Sequence, residues 1–165
     1  MRLLLWILVA LVLCVVQHTC LAGWTITPDL PLALAAYAVV AGLAQPWILR
    51  LWIIGPIRDV LDPGSEWFHA GVHVLFLLAV LPTQRWLPGP RWLALIVAGT
   101  SLALLHQALD ILIGGPGAWR WWSGSLNALL TGGAAMAFGW LAPPPKRTVS
   151  VPEEPAGEAE AITPS

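Results

Sequence analysis

Ionisable side chains are concentrated between Gly55 and His73, in the stretch GPIRDVLDPGSEWFHAGVH. His69 and His73 are four residues apart, so in a helix they lie on one face. His106 and Asp110 have the same spacing further along the chain. Imidazole and carboxylate groups in such pairs can ligate a metal, exchange protons in catalysis or form part of an ion pathway.

A metal site would require the two helices that carry these groups to meet. The chain has no H-E-x-x-H zinc-protease helix, and a bare H-x-x-x-H pair is a common pattern. A hydrogen-bond network between helices is the simpler expectation, with a proton or ion pathway as the alternative. The sequence therefore assigns no metal, no cofactor and no catalytic residue. The four residues retained only as metal-ligand candidates are His69, His73, His106 and Asp110.

The composition places these polar groups in an apolar chain. Of the 165 residues, 58% are hydrophobic and 10% are charged, whereas soluble domains carry about 25% charged residues. A bilayer is the solvent that accommodates this much apolar surface. Most of the 11 tryptophans are near the ends of apolar runs, as is typical of the membrane interface. We therefore predict an integral membrane protein, and the net charge of −1 gives no sign of nucleic-acid binding.

Six apolar runs predict an all-α, six-transmembrane-helix bundle that forms one domain over residues 1–142. The second, third and fourth runs are shorter than the roughly 20 residues of a perpendicular span. These three either cross a locally thinned bilayer, extend into their polar flanks or are partly re-entrant. Residues 143–165 are rich in proline and glutamate and predict a disordered cytoplasmic tail. The runs cover residues 3–22, 30–45, 47–61, 67–81, 92–114 and 119–141.

The basic residues predict the orientation in the membrane. With six spans and a cytoplasmic N-terminus, the inner side carries six Lys and Arg residues and the outer side carries two, Arg58 and Arg120. This distribution agrees with the positive-inside rule. Both termini are therefore expected in the cytoplasm. The stretch from Gly55 to His73 becomes an outer hairpin, where its charges are expected to reach water.

Two features of this hairpin bear on its conformation. The pair Gly55-Pro56 predicts a break in the third helix, and Pro63 with Gly64 predicts a turn after it. Asp59 is either an ordinary loop carboxylate or accepts hydrogen bonds from the backbone of the turn that follows. The second arrangement would pin the third helix to the fourth.

Small residues four apart recur in the apolar runs, and such pairs let helix backbones approach closely in lipid. We expect them to serve packing within the bundle, and the spacing leaves association of two copies open. The pairs are Ala38 with Gly42, Gly99 with Ala103, Gly133 with Ala137, and Ala135 with Gly139.

The order of residues in the hairpin resembles the signature of the MreD family, the rod shape-determining membrane proteins of bacteria. That signature has a glycine, an aspartate four residues later, two apolar residues, a small turn, and an asparagine- or histidine-alanine pair. The matching residues, which we treat as a structural or partner-binding motif, are Gly55, Asp59, Pro63, Gly64, His69 and Ala70.

The resemblance extends over about residues 1–142. The segment Thr27-Pro28-Asp29-Leu30 is similar to the start of the second helix in that family. The chain departs from the pattern at Trp67, where the family usually has glycine, and in its turn Asp62-Pro63-Gly64, which is commonly Ser-Gly.

The resemblance implies a non-enzymatic scaffold of the cell-elongation and peptidoglycan-synthesis machinery, located in the bacterial inner membrane. It implies binding to an MreC-like protein with a single membrane span, and through it links to the MreB filament and the peptidoglycan synthases. It also implies a fold similar to the six-helix substrate-binding subunits of energy-coupling factor transporters. A small-molecule-binding transporter subunit and, with less support, a membrane-embedded metal-dependent enzyme stay open as alternatives.

Overall fold

The computed structural model of the chain describes residues 2–40, 46–62, 68–83, 90–114 and 121–142. These ranges contain six α-helices and no strand, so this part of the protein is all-α. The helices are α1 (Arg2–Thr19), α2 (Leu30–Val40), α3 (Pro46–Leu61), α4 (Phe68–Thr83), α5 (Arg91–Gly114) and α6 (Trp121–Leu141).

Each helix coincides with one of the six predicted apolar runs. The predicted tail, the turn residues Pro63 and Gly64, and residues 41–45 of the second run lie outside the described residues. The predicted helix break at Gly55-Pro56 is wrong, because α3 continues from Pro46 to Leu61 with Pro56 inside it. A proline removes one backbone hydrogen bond of a helix, and the flanking bonds can persist.

Helix α2 is the centre of the described bundle and contacts α1, α3, α5 and α6. Its sequence LPLALAAYAVV is rich in alanine, and small side chains let several neighbours approach at once. Eight of its 11 residues are buried. Because so little of α2 is exposed, the unpaired backbone groups of its first turn must find partners in the protein.

Helices α5 and α6 cross at two glycines. A Cβ on Gly99 would lie 2.8 Å from the Cα of Gly132, and a Cβ on Gly132 would lie 2.7 Å from the backbone oxygen of Ile96. Both positions require glycine because a backbone atom cannot turn away from an added methyl group. By contrast, a Cβ on Gly133 would meet nothing within 4 Å, and Ala137 is exposed.

The outer surface of the bundle is apolar. Large hydrophobic side chains are exposed on every helix except α2. Exposed tryptophans lie near helix ends at Trp92, Trp122 and Trp140, in the connector after α1 at Trp24, and within α3 at Trp52. In the described ranges one helix is both long and apolar enough to cross a membrane, over Arg91–Ile113. The apolar helices Leu3–Thr19 and Leu30–Val40 are shorter.

The glycine crossing predicts opposite responses at two adjacent positions. We expect Gly132→Ala to destabilise the protein by about 1–3 kcal/mol, the usual cost of an overpacked contact. Gly133→Ala is expected to be neutral or to stabilise by up to about 1 kcal/mol, because alanine favours helix and the site is open. Thermal unfolding of the two variants in one detergent, followed by circular dichroism, measures the difference; equal melting temperatures would contradict the crossing.

Candidate functional site

Polar side chains from all six helices, or from the residues that flank them, meet at one end of the bundle, which we call the polar end. Each residue is in the part of α1, α3 or α5 toward its end, or in or directly before the part of α2, α4 or α6 toward its start, except Thr131, which is at the middle of α6. The residues are Gln17, Asp29, Arg58, Asp59, His69, His106, Gln107, Asn127 and Thr131.

The Asp59 carboxylate joins the end of α3 to the start of α4. One carboxylate oxygen accepts a hydrogen bond from the backbone N–H of His69 at 3.0 Å, and the other accepts one from Ala70 at 2.9 Å. The first N–H groups of a helix lack partners within it, and they carry a partial positive charge. Asp59 therefore caps a neighbouring helix rather than its own, with charge-assisted bonds.

Gly55 makes this capping possible by bringing the two helices together. It is one turn before Asp59, so both residues are on one face of α3. A Cβ at this position would lie 2.7 Å from the Cα of Ala70 and 3.1 Å from the backbone oxygen of His69. The four described motif residues, Gly55, Asp59, His69 and Ala70, thus form one contact between α3 and α4.

Arg58 makes an ion pair with Asp29, the residue that precedes α2. Its Nη1 lies 2.6 Å from a carboxylate oxygen of Asp29, and the two side chains are only 12% and 19% exposed. The expectation that the charge of Arg58 reaches water is therefore wrong for this side chain. A carboxylate was available to it inside the bundle, and pairing offsets part of the cost of burying a charge.

Asp29 is also the N-cap of α2. Its second carboxylate oxygen accepts a hydrogen bond from the N–H of Leu32 at 3.1 Å. Burial alone would raise the pKa of Asp29, but the nearby Arg58 and the hydrogen bonds outweigh it, so the pKa lies below its ordinary value. The carboxylate is therefore charged at neutral pH.

The backbone between α1 and α2 is fixed by side chains of α1 and α6. Thr27 N–H donates to Asn127 Oδ1 at 2.8 Å, and Asp29 N–H donates to Thr131 Oγ1 at 2.9 Å. Leu30 N–H donates to Gln17 Oε1 at 3.1 Å. These three bonds hold the connector in place, and with it the carboxylate that pairs with Arg58.

His69 and His106 form a direct contact between α4 and α5. His69 Nδ1 lies 2.9 Å from His106 Nε2, and the rings are stacked with centroids 5.0 Å apart. Phe68 covers both rings edge-on. On the other side of His69, a carboxylate oxygen of Asp62 lies 3.5 Å from Nε2, close enough for an ionic contact but not in hydrogen-bond geometry.

The other two metal-ligand candidates do not join this pair. His73 is 1% exposed, and neither of its ring nitrogens has a hydrogen-bond partner among the described residues. Asp110 is exposed on α5. In the described part of the chain, no three His, Cys, Asp or Glu side chains are arranged to hold one metal ion. Nδ1 of His69 and Nε2 of His106 face each other, so these two nitrogens do not point at a common position for a metal ion.

A cavity of about 110 Å³ lies beside the histidine pair. Its lining is mostly polar and includes Gln17, Asp29, His106, Gln107, Asn127 and Thr131. Gln107 donates from Nε2 to the backbone oxygen of Gly124, but its Oε1 is buried with no partner in the described residues. A buried acceptor of this kind is usually satisfied by water, and the volume suits about three or four water molecules.

Several residues of the polar end were not identified as site residues from the sequence. No sequence pattern assigns a site role to Gln17, Asn127 or Thr131, and the position of Arg58 in the hairpin predicts that its charge reaches water. A detectable signal exists for Gln17, Arg58 and Asn127, since the alternating topology brings their ends of the helices together, but not for Thr131, which is at the middle of α6. What the sequence could not supply was the pairing of these residues.

Comparisons with protein-family models, with curated proteins and with solved structures give no match. The site is therefore interpreted from its own contacts and from the resemblance of the hairpin.

The contact between α3 and α4 can be tested at Gly55. We expect Gly55→Ala to lower the melting temperature by several degrees, because the added carbon collides with the backbone of α4 and draws Asp59 away from its two donors. Gly71→Ala is the matched control, since a Cβ on Gly71, also in a helix, meets nothing within 4 Å. Thermal unfolding is the measurement, and a fully stable Gly55→Ala variant would show that the close approach is not required.

The buried ion pair predicts a specific charge effect. Asp29→Asn keeps a good N-cap but leaves Arg58 without its counter-charge, which is expected to cost about 3 kcal/mol. Asp110→Asn, at an exposed position, should change stability little. Denaturant titration of both variants measures the costs, and equal small effects would contradict the pairing.

The same pair predicts a pH dependence. Because the pKa of Asp29 is lower in the folded protein, its contribution to stability is complete above the ordinary carboxyl value of about 4. The contribution is lost as the pH falls through the lower folded value. The wild-type chain should therefore lose its stability advantage over the Asp29→Asn variant in strong acid. Denaturant titration of both chains at several pH values measures this, and an advantage that persists in strong acid would contradict the assignment.

Proposed function

We propose that the protein is a non-enzymatic membrane scaffold of the MreD type, acting in the cell-elongation machinery of a bacterium. In this proposal it binds an MreC-like partner with a single membrane span. Through that partner it is linked to the MreB filament and to the peptidoglycan synthases.

The observation that supports the proposal most is the contact between α3 and α4. The positions that carry the family resemblance and lie in the described structure are the ones that make this contact: Gly55 allows the approach, Asp59 caps, and His69-Ala70 supplies the capped N–H groups. Each of these motif positions has a physical role in the contact, which a chance match of residues would not be expected to give.

A six-span arrangement in the inner membrane belongs to the same proposal. It is supported by an apolar surface on five helices and by exposed tryptophans near helix ends. In this arrangement the polar end faces the outer compartment and both termini are cytoplasmic. The short helices α2 to α4 are accommodated by local thinning of the bilayer, by extension into their polar flanks or by partial re-entry.

The partner is proposed to dock on the outward face of α6 or on the outer hairpin. On α6, Gly132 packs directly against α5. By contrast, Gly133 and Ala137 form a small-residue surface that no described helix covers. A surface of small residues favours the close approach of a partner helix in lipid.

A small-molecule-binding transporter subunit is the second candidate, and the polar cavity is the observation in its favour. The volume of about 110 Å³ is well below the roughly 300–1,000 Å³ of typical ligand pockets. We therefore rank this function below the scaffold.

Co-purification is the test of the scaffold proposal. The full-length chain, tagged, is co-expressed with an MreC-like protein from the same bacterium and is purified in mild detergent. We expect the two proteins to elute together. We further expect Gly133→Leu to weaken the complex at least tenfold without lowering the melting temperature, because this bulk faces outward from the fold.

The control is Ala108→Leu, which also places a leucine at a small residue, here at an exposed position on α5, and which should leave the complex intact. A folded wild-type chain that never retains the partner would overturn the proposal. Loss of binding only in Asp59→Ala, with Gly133→Leu unaffected, would move the docking surface to the hairpin.

A further inference from the structure

The His69–His106 pair has a defined arrangement of protons. If His69 Nδ1 donated to His106, the other nitrogen of His69 would turn a lone pair toward the Asp62 carboxylate, which is unfavourable. The consistent assignment has His106 Nε2–H donating to His69 Nδ1, and the proton of His69 on Nε2, 3.5 Å from Asp62. His106 Nδ1 is then the ring nitrogen of the pair that can still accept a proton.

A first added proton fits this arrangement, and a second does not. Protonation of His106 at Nδ1 leaves its Nε2–H donating to His69, so the hydrogen bond is kept. A second proton would have to bind His69 Nδ1. Two N–H donors would then face each other across 2.9 Å, and the contact between α4 and α5 would break.

The surroundings supply both a source and a counter-charge for one proton. His106 lines the polar cavity, where Gln107 Oε1, which has no partner among the described residues, can accept a hydrogen bond from water. The titratable or charged groups near the pair are Arg58 and Asp59 of α3, Asp62 directly after α3, Asp29 before α2, and His73 of α4. Arg58 is paired with Asp29, and Asp59 caps α4, so Asp62 is the carboxylate directed at the pair.

The proton has no polar route through the remainder of the described bundle. From His106 toward the opposite end, the buried hydrophobic side chains of α5 are Ala103, Leu102, Ala98 and Leu95, and those of α4 beyond His73 include Phe76. Thr100 Oγ1 is a buried polar atom on this path, but it has no hydrogen-bond partner among the described residues and so forms no chain with other polar groups. The arrangement therefore binds a proton and does not conduct it.

We propose that His69 and His106 form a proton-binding site with a capacity of one, which exchanges with water in the adjoining cavity and is stabilised by the Asp62 carboxylate. The proton is transferred from a hydronium ion to His106 Nδ1, and water is left behind. The site would report the acidity of the compartment at the polar end. Only the identification of that compartment as the outer one rests on the proposed function.

The test is a titration of the histidines in the full-length chain. The protein contains four histidines in all, and His18 is exposed on α1, so His18→Gln leaves the three buried or half-buried ones. With histidine labelled by ¹⁵N, NMR in micelles follows protonation from about pH 8 downward until circular dichroism shows loss of helix. We expect His18→Gln to take up one proton while folded, with the signals of His69 and His106 moving together.

Two substitutions locate the proton. Asp62→Asn should shift this uptake to lower pH by about one unit or less, because it removes the counter-charge. His106→Gln should abolish the uptake.

Uptake of two protons by His69 and His106 together in folded His18→Gln, or of none by the pair before unfolding, would overturn the site. If His106→Gln does not fold, the proton count in His18→Gln still decides. Failure of this titration leaves partner binding untouched, and failure of co-purification leaves the titration untouched, so the two proposals are tested separately.

Discussion

Two consecutive residues at the end of α3 constrain the starts of two other helices. Arg58 binds the carboxylate that caps α2, and Asp59 binds the first N–H groups of α4. Successive side chains on a helix point in directions about 100° apart, so one short segment reaches two neighbours. Burial of apolar groups is not directional and sets no particular register between helices. In an apolar bundle the register therefore depends on its few strong directional contacts, and these two are among them. The register of α2, α3 and α4 therefore depends on this dipeptide.

The remaining polar contacts extend the same constraint to the rest of the bundle. Asp29 is held in place by the connector that Gln17, Asn127 and Thr131 fix, which brings in α1 and α6. The histidine pair connects α4 to α5. Away from the polar end, the bundle relies on close packing, as at Gly99 and Gly132. Hydrogen bonds and the ion pair thus specify the arrangement of the helices at the polar end, and close backbone packing specifies it along the helices away from that end.

Much of this architecture was predictable from the sequence, since the six helices coincide with apolar runs whose hydrophobicity follows directly from residue type. The hairpin contact was partly predictable, because a glycine and an aspartate four apart must share a face of α3. The pairing of Arg58 with Asp29 was not, since 29 residues separate them and either charge alone is equally consistent with exposure. The continuity of α3 through Pro56 was missed because a proline only disfavours a helix, and tertiary contacts on both sides of it can hold the helix together.

The polar end also explains why buried charge is tolerated here. An isolated charge in such a place costs several kcal/mol, but Arg58 and Asp29 pair with each other, and Asp59 binds backbone groups that would otherwise be unpaired. The pairing leaves one polar atom of Arg58 unsatisfied, since its Nε is buried with no hydrogen-bond partner among the described residues. The histidine pair differs, because a neutral imidazole can be satisfied without charge and still accept a proton when one is offered. A bundle whose fixed charges are mutually compensated leaves its histidines as the groups whose charge can change with little rearrangement. Structural rigidity and a capacity to respond to acidity therefore arise from the same cluster, through different residues.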